Sequence, residues 1–307
     1  MGQIAYIFPG QGAQVVGMGY ELHRNSPAAK AVFDEANSVL GFDLAKLCFQ
    51  GPEAELRETI NAQPAIVTVS VACLKVASET DGCRPAPPAY VAGHSLGEYT
   101  ALVAAGVLGF ADALRLVRER GRLMQEAGIR QPGGMAAIIG LDEAIVEQVC
   151  QEAGAEIANL NSADQIVISG RRETVARALD LARALGARRV VPLDVSGAFH
   201  CSLMESTVGG MARAIARSSF HEPCVPIVVN STAQPVNTAD AVKSELIRQL
   251  CHCVQWHSSV EYMVRAGVST FVEMGPGRVL SGLVKRIDRS IETMSLSDTE
   301  LVRSINV

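Results

Sequence analysis

The chain has 307 residues, 48% of them hydrophobic and 19% charged, the composition of a globular protein with a sizeable core, in one large domain or a large and a small one. Its net charge of −5 supplies no overall basic field to draw it to nucleic acid or an anionic membrane surface. No run approaches the ~18 uninterrupted apolar residues of a membrane helix, since the most apolar stretch, Ala65 to Val76, is short and carries Lys75.

The opening MGQIAYIFPG has no basic n-region and no cleavage site, so no signal peptide is read. Tyr6 stands where myristoylation of Gly2 would need Ser or Thr. The eight cysteines are then expected to be reduced thiols in the cytoplasm. Cys251-His252-Cys253 lacks a second ligand pair at zinc-like spacing, and no metal site is expected.

Gln3 to Phe8 reads as a short strand that runs into the turn Pro9-Gly10-Gln11-Gly12. Helical patterns follow near 27–38, 53–60 and 63–78, the first started by Ser26-Pro27. A strand-like run, Ala89 to Ala92, then meets Gly93-His94-Ser95-Leu96-Gly97, and a helix-forming run extends from Leu96 to Val107. G-x-S-x-G between a strand and a helix is the pattern of a nucleophile elbow. The glycines allow a sharp turn, the serine hydroxyl sits at its tip, and the following helix N-terminus favours negative charge beside it. A glycine-rich turn with a capping serine is the plainer reading of the same residues.

A long helix is predicted from about Ala111 to Ala127. On a helical wheel Ala113, Leu116, Val117, Leu123, Met124 and Ala127 share one face, with Arg120 near its centre; Arg115, Arg118 and Arg122 lie on the opposite, solvated side. A guanidinium cannot shed its proton and is costly to bury unpaired. Arg120 therefore has either an internal carboxylate partner or a cavity that receives an anion, and a planar fork suits the two oxygens of a carboxylate. Both readings stand at this level.

Gln131-Pro132-Gly133-Gly134 marks a boundary. Beyond it come a strand (Met135 to Ile139), a helix (Asp142 to Ala153), two strands (Glu156 to Leu160, Ile166 to Ser169), a helix (Arg172 to Leu185) and a strand (Arg189 to Asp194). This β-α-β-β-α-β order is ferredoxin-like. From Ser196 the larger pattern resumes: a helix near 203–217, a buried strand Val225 to Val229, helices near 238–250 and 257–266, a strand Thr270 to Glu273, then Gly275-Pro276-Gly277 and a last helix to about Ile287. The tail from Asp288 reads as weakly ordered. Strands alternating with helices predict an α/β fold with a mostly parallel sheet covered on both faces. That core comprises residues 1–130 and 196–307, interrupted by a ferredoxin-like subdomain over 131–195.

A serine needs a base, and histidine is the commonest near neutral pH. His94 adjoins Ser95, but its side chain should leave the turn in another direction. His200 follows Val195-Ser196-Gly197-Ala198-Phe199, at a strand-end loop where open α/β sheets keep ligands, and is preferred among the six histidines; a surface or capping histidine is an equally open reading of it. No acidic third member is evident. Asp194 is too near in sequence to fold back easily, and a carbonyl also suffices to hold an imidazole in one tautomer.

Phe8-Pro9-Gly10-Gln11-Gly12-Ala13-Gln14, Gly93-His94-Ser95-Leu96-Gly97-Glu98-Tyr99, the segment around Arg120-Gly121, Gly197-Ala198-Phe199-His200, Val254-Gln255-Trp256 and Gly275-Pro276-Gly277 stand in this order. Over about residues 3–288 the chain resembles the malonyl-CoA:acyl carrier protein transacylases, the discrete acyltransferases of bacterial fatty acid synthesis. The resemblance implies a hydrolase-like α/β core with a ferredoxin-like insert, malonyl-CoA as substrate, acyl carrier protein as partner, and neither metal nor cofactor. It implies Ser95 as nucleophile and His200 as general base, then acid. Gln11 and Leu96 would supply the N–H groups of an oxyanion hole, and Arg120 would bind the malonyl carboxylate. Gln255 would orient His200 through its main-chain carbonyl, and Gln63, Asn159 and Asn161 would line the pocket.

The chain departs from the family at Cys251-His252-Cys253, where Asn-Pro is more usual before Val254. Gly-Ala-Phe before His200 is also similar to the malonyl-selective acyltransferases of polyketide synthases, which makes a free-standing acyltransferase of such a synthase an alternative. A serine thioesterase or esterase, and a carrier-binding scaffold without turnover, are further ones. Arg188, Arg189, Lys285, Arg286 and Arg289 are candidates for a basic patch that docks an acidic carrier protein.

Overall fold

The computed structural model describes residues 2–79 and 86–297; Cys83 lies outside them. The strands, in chain order, are β1 (Gln3–Phe8), β2 (Tyr90–Gly93), β3 (Gly133–Ile139), β4 (Glu156–Ser162), β5 (Gln165–Arg171), β6 (Arg189–Pro192), β7 (Ile227–Val228), β8 (Pro235–Val236), β9 (Val268–Met274) and β10 (Glu292–Leu296). They make two sheets. The larger has the order β10-β9-β1-β2-β7-β8 and is parallel except for the β7/β8 pair.

Its central strands are buried on both faces, as parallel strands between helices must be. Tyr6 and Phe8 point into the major core, beneath the helices Thr59–Glu79 and Phe110–Arg130; the alternate residues Ala5 and Ile7 point into a second core with Trp256, Val260 and Phe271. The Thr59–Glu79 helix is long and apolar enough to cross a membrane, yet 83% of its most apolar stretch is buried inside the protein.

Two side chains settle how these helices meet. Pro64 lies within the Thr59–Glu79 helix and has no N–H to give to Ile60 O. Arg118 Nη1 donates to that carbonyl instead (2.8 Å) and also to Asn61 Oδ1 (2.5 Å). Gly121 allows the close approach, because a Cβ there would lie 2.7 Å from Thr59 O and 2.8 Å from Ile60 Cα. Arg118 is thus half-buried and stacked on Phe42, a correction to its expected place on the solvated side. Arg115 is exposed beside Asp112, and Arg122 pairs with Glu119 and Glu126.

The second sheet is antiparallel with the order β4-β5-β3-β6, which is ferredoxin-like. Its helices Glu143–Ala153 and Arg172–Ala184 close a separate core of Ile138, Val146, Ile168 and Leu179. It joins the larger part at a parallel bridge: Leu160 N donates to Val254 O and Val254 N to Ala158 O, both at 2.9 Å. That bridge fixes β4, and with it Asn159 and Asn161, over the end of β2.

Local pattern also erred in the bounds and order of other elements. The expected helices 53–60 and 63–78 are divided as Glu53–Arg57 and Thr59–Glu79. The expected strand 225–229 pairs over only two residues. The tail is not weakly ordered throughout, because β10 pairs in parallel with β9 from Glu292↔Thr270 to Leu296↔Met274. Glu-Thr-Met-Ser-Leu has little apolar signal of its own; the exposed ladder of β9 supplies the order.

Candidate active site

β1 and β2 end side by side, with His94 N donating to Phe8 O (3.1 Å). The chain then turns at Ser95 (φ 51°) into the helix Gly97–Ala104. The turn is so tight that a Cβ on Gly93 would fall inside the Gly97 carbonyl group, and a Cβ on Gly97 inside the Phe8 carbonyl oxygen. Both glycines of G-x-S-x-G are therefore required by contact as well as by turn geometry. The left-handed conformation of Ser95, unfavourable for a residue with a Cβ, lifts its hydroxyl into a cleft of about 370 Å³.

His200, also in the left-handed region (φ 58°), meets that hydroxyl. Ser95 Oγ lies 2.7 Å from His200 Nε2, and His200 Nδ1 lies 2.9 Å from Gln249 O. A carbonyl accepts only, so Nδ1 carries the hydrogen and Nε2 presents its lone pair to the Ser95 O–H. Burial, and next the Arg120 guanidinium, lower the His200 pKa to about 3. The imidazole is therefore neutral, as a base must be.

Arg120 is 1% exposed. Nη1 donates to Gln63 Oε1 (3.0 Å); Nη2 donates to Gln249 Oε1 (3.0 Å) and to Ser95 Oγ (3.1 Å). Its Nε has no partner among the described residues, and it makes no ion pair with a carboxylate there. Glu98, the nearby acid, accepts at its Oε2 from Asn230 N instead (2.9 Å). Burial, and then Glu245, push the Glu98 carboxyl well above the usual range, toward its neutral form. Of the two readings of Arg120, the structure shows a cation facing a cavity.

The remaining expectations divide. Gln11 and Asn159 line the cleft. Leu96 is buried at the N-terminus of the elbow helix. The backbone N–H groups of Gln11 and Leu96 make no hydrogen bond among the described residues. Gln63 and Asn161 do not line the cleft, a correction: Gln63 stands behind Arg120, and Asn161 Oδ1 accepts from His94 Nε2 (2.8 Å). His94 thus turns away from Ser95, toward Asn161 and Trp256.

Gln255 does not hold His200, a second correction. Its carbonyl accepts from Ser259 N and Ser259 Oγ in the first turn of the helix Trp256–Arg265, and its N–H donates to Asn230 O (2.8 Å). Six residues earlier, Gln249 does more than was asked of Gln255: its carbonyl takes His200, its Oε1 takes Arg120, and its Nε2 donates to Ser95 O (3.0 Å). Sequence held a signal for it. Val242, Leu246 and Gln249 follow helical spacing on a buried face, a polar residue among apolar ones just as with Arg120. Asp194 pairs with Arg57 at the cleft rim (2.7 Å), away from His200. Among the described residues no three His, Cys, Asp or Glu side chains are grouped to hold a metal; His252 Nδ1 donates to Arg248 O.

Chemically, this is an alcohol with a neutral imidazole to take its proton, a free N–H pair and helix N-terminus beside it, and a cationic fork within reach. Comparison with known proteins agrees in kind. The acyl transferase domain family matches residues 5–302. The chain is 45% identical over 302 residues to malonyl CoA-acyl carrier protein transacylase of Escherichia coli (strain K12), covering 97% of each. It is similar to the solved structure of malonyl CoA-acyl carrier protein transacylase from Coxiella burnetii (TM-score 0.94, 42% identity, 99% of this chain and 97% of that one). It is equally similar to a malonyl-transacylase solved in complex with its type II polyketide synthase acyl-carrier protein (TM-score 0.94, 41% identity, 99% and 98%).

Proposed function

The chain belongs to the acyl transferase family, among the malonyl-CoA–acyl carrier protein transacylases, and on that premise we propose that Ser95, His200 and Arg120 carry its reaction. It moves a malonyl group from coenzyme A to the phosphopantetheine thiol of acyl carrier protein. In the first half-reaction Ser95 Oγ attacks the thioester carbonyl while His200 Nε2 takes the hydroxyl proton. The tetrahedral intermediate collapses by breaking the C–S bond; the thiolate leaves with the proton from His200, and malonyl-Ser95 remains. In the second, the carrier thiol gives its proton to His200, its sulfur attacks the ester, and Ser95 leaves with that proton. Gln11 and Leu96 N–H groups stabilise the oxyanion in both steps, each donor contributing about 3–4 kcal/mol by analogy with measured oxyanion holes. The scheme calls on no cofactor; the side chains and the two thiol substrates supply every proton.

Gln249 O takes the place of the acidic triad member, holding the imidazole tautomer without adding a negative charge near the malonyl carboxylate. This argues against the thioesterase and esterase alternatives. The observation that carries the proposal is the Arg120 fork, buried with only neutral hydrogen-bond partners and 3.1 Å from the Ser95 hydroxyl. A malonyl ester on Ser95 brings its carboxylate, one methylene away, to that fork. Acetyl offers nothing there and leaves the cation unanswered. Among the described residues Cys48, Cys150, Cys201, Cys224, Cys251 and Cys253 are free thiols, which fits a reducing cytoplasm.

Intact-mass analysis after mixing with malonyl-CoA alone tests the proposal. The expected result is one malonyl adduct mapped to Ser95, absent from Ser95→Ala. Release of free malonate without an accumulated adduct would make the protein a hydrolase.

A further inference from the structure

Asn230 contributes nothing to the cleft lining, yet it is 2% exposed and satisfies both sides of the elbow. Its Oδ1 accepts from Ser95 N (2.6 Å) and its Nδ2 donates to Gly93 O (2.7 Å). Sheet register explains why one side chain can do this. β2 and β7 pair as Val91↔Ile227 and Ala92↔Val228, with Val91 N donating to Pro226 O. In a parallel ladder each bonding residue gives its N–H and C=O to two residues flanking its opposite number. Continued by one step, the ladder would bring Asn230's own N–H to Gly93 O and its own C=O to Ser95 N–H. Its backbone is used elsewhere: the N–H goes to Glu98 Oε2 (2.9 Å), and the C=O accepts from Gln255 N (2.8 Å). The carboxamide replaces its own peptide groups and carries the ladder into the elbow, where the backbone has already turned away.

Resting on the assignment of Ser95 as nucleophile, we propose that Asn230 is a positioning residue, which holds Ser95 in its left-handed conformation and so sets the rate of Ser95 acylation. A non-glycine residue in that region persists only where its surroundings over-determine it. Here Gly93 O and Ser95 N, on either side of His94, are tied to one rigid amide. The backbone that carries it is anchored, its N–H through Glu98 to the elbow helix and its C=O through Gln255 to the helix Trp256–Arg265. Because Oδ1 occupies the Ser95 N–H, oxyanion stabilisation falls to Leu96 and Gln11. Asn230 makes no hydrogen bond to Arg120 or His200, so its loss acts on the hydroxyl's position and leaves carboxylate recognition in place.

The experiment is rapid-quench acylation of the full chain by malonyl-CoA, with the adduct mapped. Asn230→Ala is expected to slow acylation on the order of 10²-fold, the scale of a roughly 1 Å misplacement, while KM for malonyl-CoA and the malonyl-over-acetyl preference stay within about twofold. Asn230→Asp is nearly isosteric and covers the case in which the alanine variant does not fold. Beside Glu98 and Glu245, burial drives an introduced acid toward its neutral form, which accepts from Ser95 N–H and donates to Gly93 O. Its acylation rate, divided by the parent's at each pH, should therefore rise as pH is lowered from roughly 8 to 6; Glu98, Glu245, His94, His200 and Arg120 are common to both proteins. An alanine variant within about threefold of the parent rate, or an aspartate variant whose profile parallels the parent's, overturns the proposal. If the parent itself carries no adduct on Ser95, the assignment of the nucleophile fails instead.

Discussion

Replacing Arg120 by Ala separates two interactions that the structure combines in one side chain. Nη2 donates to Ser95 Oγ, a hydrogen bond to a charged donor worth about 1.5–3 kcal/mol, and both malonyl and acetyl transfer lose it. Only malonyl also loses its carboxylate's partner. Leaving one member of a buried charge pair without the other costs about 3–5 kcal/mol, which at 1.36 kcal/mol per decade is about 10²- to 10⁴-fold in kcat/KM. The shared loss cancels in the ratio, so malonyl-over-acetyl preference should fall by about 10²- to 10⁴-fold. The assay is kcat/KM for malonyl-CoA and for acetyl-CoA with the same holo-carrier protein, on parent and variant. Arg120→Lys, which keeps the charge and loses the fork, should fall between them. A preference within about threefold of the parent's in a folded Arg120→Ala would refute the carboxylate assignment.

The His200 pKa near 3 implies that between that value and the ordinary 6.5 the unfolded chain binds a proton the folded one does not. Stability should then drop as pH falls through this window, by up to about 4–5 kcal/mol from this group. Denaturant midpoints at pH 7 and near pH 4.5 should show a shallower decline for His200→Gln than for the parent; equal declines would contradict the buried neutral imidazole. Gly97→Ala puts a methyl into the Phe8 carbonyl and should abolish Ser95 labelling even where circular dichroism shows a folded protein; normal labelling would mean that the elbow can open. Lys285 and Arg289 lie together at the end of the helix Val279–Ile287, with Lys285 Nζ donating to Arg289 O. Reversing both charges should raise KM for the carrier several-fold and leave KM for malonyl-CoA unchanged, and equal effects on both would remove this patch as the docking surface.

Short-range chemistry made much of this protein legible. G-x-S-x-G is readable because its glycines answer contacts within five residues and with the adjoining strand. Arg120 stands out because helical periodicity places a charge that cannot be shed on an apolar face. The ferredoxin-like unit is readable because each element carries its own period and turn residues. Tertiary structure alone decided what crosses sequence distance. His200 and Ser95 are 105 positions apart, and a strand-end loop alone gives His200 little preference over five other histidines; the return of the chain from the second sheet decides it. The carbonyl behind His200 belongs to Gln249 rather than Gln255, because a main-chain carbonyl has no side-chain signature and the loop between them determines which one faces the ring. The order of β10 comes from the free edge of β9, and the hold on Ser95 comes from an asparagine 135 positions away. Sequence specifies which groups are present and the period on which they lie, whereas hydrogen bonds between distant segments depend on directions that only the packed sheet and helices fix.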